Sequence, residues 1–129
     1  MNSFRLFLEN LDPSSIVDVA QQARQEAGVI RCALFGDCKD VSNDTIKLLK
    51  QKGVKAHIEG SYFYVGDENG DFEHSWVVVD NGFILDPTID QFFSSLDEDM
   101  HTKVKGIYFS HPEWDGDRYA NRYSQHGHS

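Results

Sequence analysis

Apolar residues along the chain recur first with a helical period and then with a period of two. In "SSIVDVAQQARQEAG" (14–28), Ile16, Ala20, Ala23 and Ala27 fall on one face. That spacing predicts a helix, with Ser15 and Asp18 as a capping pair and Gly28 as its end. The apolar run "VIRCALF" (29–35) leads to a second helix over 38–52, where Cys38, Val41, Thr45 and Leu48 share a face, Leu49 lies beside them and Gly53 is the stop. After Gly53 the alternation becomes strand-like. "VKAHIEGSYFYVG" (54–66) and "FEHSWVVVD" (72–80) read as antiparallel partners around a "DENG" turn.

A tight two-residue turn at Asn81-Gly82 then feeds a short strand, 83–86, that Pro87 terminates. "DQFFSSLDEDM" suggests a short helix, "KVKGIYFS" (103–110) a further strand, and the stretch from residue 111 loses its apolar period, with a frayed end from about 120. Two helices followed by adjacent strands predict an α+β fold, the helix that bears Cys38 packed on an antiparallel sheet. No repeat or low-complexity linker divides the 129 residues, which fit one domain with one core.

Charge narrows the function classes. Twenty-one acidic against 12 basic residues leave a formal charge of −9, which disfavours phosphate neutralisation and hence nucleic acid as a partner. An acidic face would attract a basic protein or an amine. The first 15 residues hold only a short apolar patch broken by Glu9 and Asn10, so neither a signal peptide nor a membrane span is expected and the reading is cytoplasmic. Cys32 and Cys38, the only two cysteines, are too few for a secreted disulfide framework and are not spaced as a zinc ribbon, although a bond between them stays open as an alternative.

Cys38 follows Gly-Asp at the expected start of a helix, where free backbone N–H groups and the helix dipole favour a thiolate. A base is then required, and His74, on the second strand of the hairpin with Trp76 on the same side, is the candidate. Asp86 would accept the other imidazole N–H and fix the tautomer. With a two-residue turn, residues 80 and 83 pair and Asp86 stands opposite Val77, three residues from His74; a bulge or strand twist is needed to close that gap. Helix-start N–H groups, that of Cys38 included, would supply part of an oxyanion hole. Trp76 would wall the site. Asp37, beside the nucleophile, is a second candidate for substrate contact, but as a helix cap its charge, like that of Asp40, would oppose the thiolate. A zinc site from Cys38, His74 and Asp86 is a weaker alternative, since four-ligand spacing is absent.

In order, "GDCKDVSNDTIKLLKQKGVKAHIEG" and "HSWVVVDNGFILDPTIDQF" resemble the transglutaminase-like branch of the papain-like cysteine hydrolases. The resemblance covers about residues 30–92 and lies in a Gly-x-Cys helix start, a helix ending in Gly, a strand, His-x-Trp on a strand and Asp-Pro-Thr after a short turn. It implies a papain-like fold, with Cys38 matching the nucleophile, His74 the base and Asp86 the orienting acid. The function expected is acyl transfer from a peptide or protein amide through a Cys38 thioester, with no cofactor, leaning to hydrolysis (a protease, amidase or protein-glutamine deamidase) over transfer to an amine (a transglutaminase). Cys32, His57, His101 and His111 match nothing in that pattern. The runner-up is a scaffold of this kind that has lost catalysis and holds a protein partner.

Overall fold

The computed structural model describes residues 12–28, 35–66, 70–79, 82–92 and 101–124. Helix α1 (Pro13–Glu26) starts directly after Asp12, whose side chain accepts the Ser14 N–H at 2.9 Å. Asp12, rather than the expected Ser15, is therefore the cap: Pro13, with its fixed φ and no N–H to lose, suits the first helical position. Val17, Val19, Ala20, Ala23 and Arg24 form its buried side.

Helix α2 (Phe35–Gln51) starts three residues ahead of the expected 38. Cys38 is thus its fourth residue and Asp37 its third, which removes Asp37 from the capping position. Val41, Ser42, Thr45 and Leu49 are buried, and Leu48 is half-buried beside them. Thr45 Oγ1 donates back to the Val41 carbonyl at 2.7 Å, which satisfies a hydroxyl that would otherwise be buried without a partner.

β1 (Ala56–Gly66) and β2 (Gly70–Val79) form the long hairpin that the period-two pattern predicts, in continuous register from Ala56↔Val79 to Phe63↔Phe72. β3 (Ile84–Asp86) pairs with β2, β4 (Tyr108–Phe109) with β3, and β5 (Tyr123–Ser124) with the outer side of β1. The sheet is antiparallel, in the order β4-β3-β2-β1-β5, so the molecule is an α+β protein.

Further expected features come out differently. The expected strand over 103–110 is reduced to β4 and an isolated bridge between Val104 and Ile107, because Gly106, at φ +86°, turns the chain there. Where a frayed end was expected from about 120, Ala120–Arg122 makes a 3-10 turn and β5 joins the sheet. Of the expected helix after Asp90, Ile89–Phe92 is a 3-10 turn, and residues 93–100 lie outside the described part, as do 125–129.

Strand alternation divides the core in two. Val77, Val79, Leu85 and Phe109 rise from one face and pack with Val17, Val19 and Ala20 of α1 and Leu49 of α2. From the other face Phe63 and Tyr108 rise, packed with Val65, Ile89, Phe92 and Tyr119. Arg24 bolts α1 to the segment after β3: its guanidinium grips both carboxylate oxygens of Asp90, at 2.8 and 3.0 Å, and donates to the Pro87 carbonyl at 2.7 Å. Among the described residues, no helix is long and apolar enough to cross a membrane.

Candidate active site

His74 and Asp86 meet. His74 Nε2 lies 2.6 Å from Asp86 Oδ2, with the two side chains 3% and 0% exposed. The contact follows from a register that the Asn-Gly signal does not predict. Val79 N–H donates to the Phe83 carbonyl, and the ladder continues through Val78↔Ile84 and Val77↔Leu85. Residues 80–82 therefore connect the strands, three residues instead of two, with Gly82 at φ +91° and its N–H on the Val79 carbonyl. This is the hairpin connection in which a glycine with positive φ closes the turn as a bulge. One extra turn residue shifts β3 by one position, so Asp86 changes faces and falls opposite Trp76 instead of Val77. It then projects on the same side as His74.

Asp86 is held on all sides. Oδ2 also accepts the Tyr123 hydroxyl at 2.7 Å, and Oδ1 accepts the Thr88 N–H at 3.0 Å and its hydroxyl at 3.2 Å. The Asp-Pro-Thr sequence explains half of this: Pro87 ends the strand, and the chain turns so that Thr88 folds back on the carboxylate. Burial, the strongest influence, pushes the Asp86 carboxyl upward. The charge of His74 and the hydrogen bonds from His74, Tyr123 and Thr88 outweigh it, so the group sits below its ordinary value of 3.8. Tyr123 responds in the opposite sense: burial first, then the negative charge of Asp86, holds its phenol well above 10.0.

Aromatic rings pack around the imidazole. Phe92 meets it edge-on at 4.9 Å, Trp76 lies at 5.8 Å and Phe63 at 5.9 Å. Trp76 packs beside His74 on the same side of β2, where its position two residues along the strand puts it, and is buried. An open cleft of about 340 Å³ lies along β1 and β2, lined by Gly60, Ser61, Tyr62, Glu73, His74 and Ser75.

The structure therefore brings together His74, Asp86 and Trp76. The backbone of Asp37 and Cys38 lies in the first turn of α2, and their side chains lie outside the described part. His74 and Asp86 project from the face opposite Val77 and Val79, so the Leu49 end of α2 packs on the other side of the sheet from the pair. His57, unmatched in the sequence pattern, sits 60% exposed and 2.8 Å from Glu59.

Two residues of the site were not anticipated. Tyr123, 37 positions from Asp86, gave no periodic or motif signal. Gln91 places its amide nitrogen 3.1 Å from His74 Nδ1, and lies in a segment read only as a short helix. No family model, curated protein or solved structure matches this chain.

Proposed function

We propose that the chain is a cysteine-dependent acyltransferase of the transglutaminase-like, papain-like kind, acting on a peptide or protein amide. In this reading the Cys38 thiolate, formed by transfer of its proton to His74, attacks the amide carbonyl. His74 then returns the proton to the leaving amine as the C–N bond breaks, and a thioester remains on Cys38. Water resolves it to a carboxylic acid, or an amine resolves it to a new amide. The observation that carries the reading is the buried His74–Asp86 pair: a carboxylate held by four hydrogen bonds and kept ionised can hold the imidazole in one tautomer and stabilise its cation. The position of Cys38 in the first turn of α2 supports the thiolate through the helix dipole.

A second reading rests on the 3% exposure of the His74 side chain: a structural His–Asp pair inside a scaffold that binds a protein partner. Alkylation of Cys38 by iodoacetamide, followed against pH in the parent, in Cys32→Ser and in His74→Ala, separates the two. Acyl transfer requires reactivity that persists below neutral pH and loses this limb in His74→Ala. An ordinary thiol profile that is indifferent to His74 gives the scaffold reading.

A further inference from the structure

Gln91 sits in the 3-10 turn Ile89–Phe92, against the one imidazole nitrogen that Asp86 leaves for chemistry. Its amide NH2 faces three acceptors: the Thr88 carbonyl at 3.1 Å, the Thr88 hydroxyl at 3.2 Å and His74 Nδ1 at 3.1 Å. Its own Oε1 is buried and has no hydrogen-bond partner among the described residues. The Thr88 carbonyl, which can only accept, fixes the direction of the amide, because turning it over would set Oε1 against it. With the amide NH2 turned toward Nδ1, a hydrogen bond there requires Nδ1 to accept, which assigns the proton of the neutral ring to Nε2, toward Asp86.

This arrangement satisfies Nδ1 only while it accepts a hydrogen bond. A proton on Nδ1 would face the amide N–H, donor against donor, on a side chain only 3% exposed and packed against Phe63, Trp76 and Phe92. Building on the reading of His74 as the base for Cys38, we infer that Gln91 is a positioning residue that caps Nδ1. The cap must be released before His74 can take the thiol proton. The base is held in the right tautomer but out of use until the Gln91 side chain turns away, as a substrate entering beside His74 would require.

Imidazole nitrogen resonances of the isotopically labelled full chain, assigned with His74→Ala, test the cap without involving Cys38. In the parent, Nε2 carries the proton and the Nδ1 resonance is displaced by an accepted hydrogen bond. In Gln91→Ala it moves to the position of a lone pair with no donor. Gln91→Glu keeps the length of the side chain but offers an acceptor, and places a proton on Nδ1. Iodoacetamide alkylation of Cys38 at neutral pH then rises about two- to tenfold in Gln91→Ala, the factor that one ordinary hydrogen bond carries. The rise disappears when His74→Ala is added. An Nδ1 resonance identical in the parent and both variants overturns the inference. So does an unchanged alkylation rate in Gln91→Ala where His74→Ala by itself slows the reaction. If His74→Ala has no effect on alkylation, acyl transfer by this pair is what fails, and the Nδ1 resonance alone decides whether Gln91 caps the ring.

Discussion

At the scale of single residues, the chemistry concentrates on Asp86. A fully buried carboxylate is costly unless its lone pairs are used, and here His74, Tyr123 and Thr88 use them. Its folded-state value lies below 3.8, so the stability it contributes is fully present above 3.8 and is lost as the pH falls through the lower, folded value. Urea midpoints measured from neutral pH downward are expected to fall below 3.8 more steeply in the parent than in Asp86→Asn. The variant itself costs about 1.5–3 kcal/mol at neutral pH, the range for a charge-assisted hydrogen bond lost from a buried site. Asp12, lowered by the Ser14 N–H, and Asp115, raised by burial, titrate in both proteins and cancel in the comparison. Parallel acid limbs in the two proteins would show that Asp86 is not the group responsible.

At the scale of elements, two glycines with similar φ do different work. Gly82, at φ +91°, closes the β2–β3 connection, and a Cβ there would meet nothing within 4 Å. Gly82→Ala is therefore a purely conformational change and is expected to cost about 1 kcal/mol. Gly106, at φ +86°, lies against the Arg24 guanidinium, whose atoms a Cβ would approach to 3.0–3.1 Å. Arg24 can yield only by disturbing its bonds to Asp90 and the Pro87 carbonyl. Gly106→Ala should thus cost about 3 kcal/mol or more, strain and a displaced buried ion pair together. Equal unfolding midpoints for the two variants would show that Arg24 is not rigidly held. The same elements mark what was legible in the sequence. The period of two over 54–66 and 72–80 identified the hairpin, and with it the common side of His74 and Trp76, because side-chain alternation follows from the strand itself. The residue count of the next turn was not legible, since Asn-Gly closes a two-residue turn as readily as Gly82 closes a three-residue one. That single position decided on which face Asp86 lies. Tyr123 and Gln91 reach the site only through tertiary packing, which no local pattern encodes.

At the scale of the whole molecule, the segment after residue 118 completes the site. Tyr119 belongs to the core on the His74 face, and Tyr123 packs at 5.0 Å from both Phe63 and Trp76 and at 5.8 Å from Tyr108. Its ring closes one side of that core, and its hydroxyl closes the shell of donors around Asp86. Substitution separates these roles. Tyr123→Phe keeps the ring and removes one of four donors to Asp86, at an expected cost of about 1–2 kcal/mol. Tyr123→Ala also removes the packed ring, and a large aromatic cut from a core costs about 3–5 kcal/mol. Unfolding in urea measures both costs. Hydrogen–deuterium exchange then shows where the loss falls: in Tyr123→Ala it should quicken along β1 near Phe63 and along β2 near His74, and leave the α1 amides that face Val77 and Val79 protected. Faster exchange spread evenly through α1 as well would mean that the two cores unfold as one unit, and that the last strand supports the whole sheet instead of the His74 face alone.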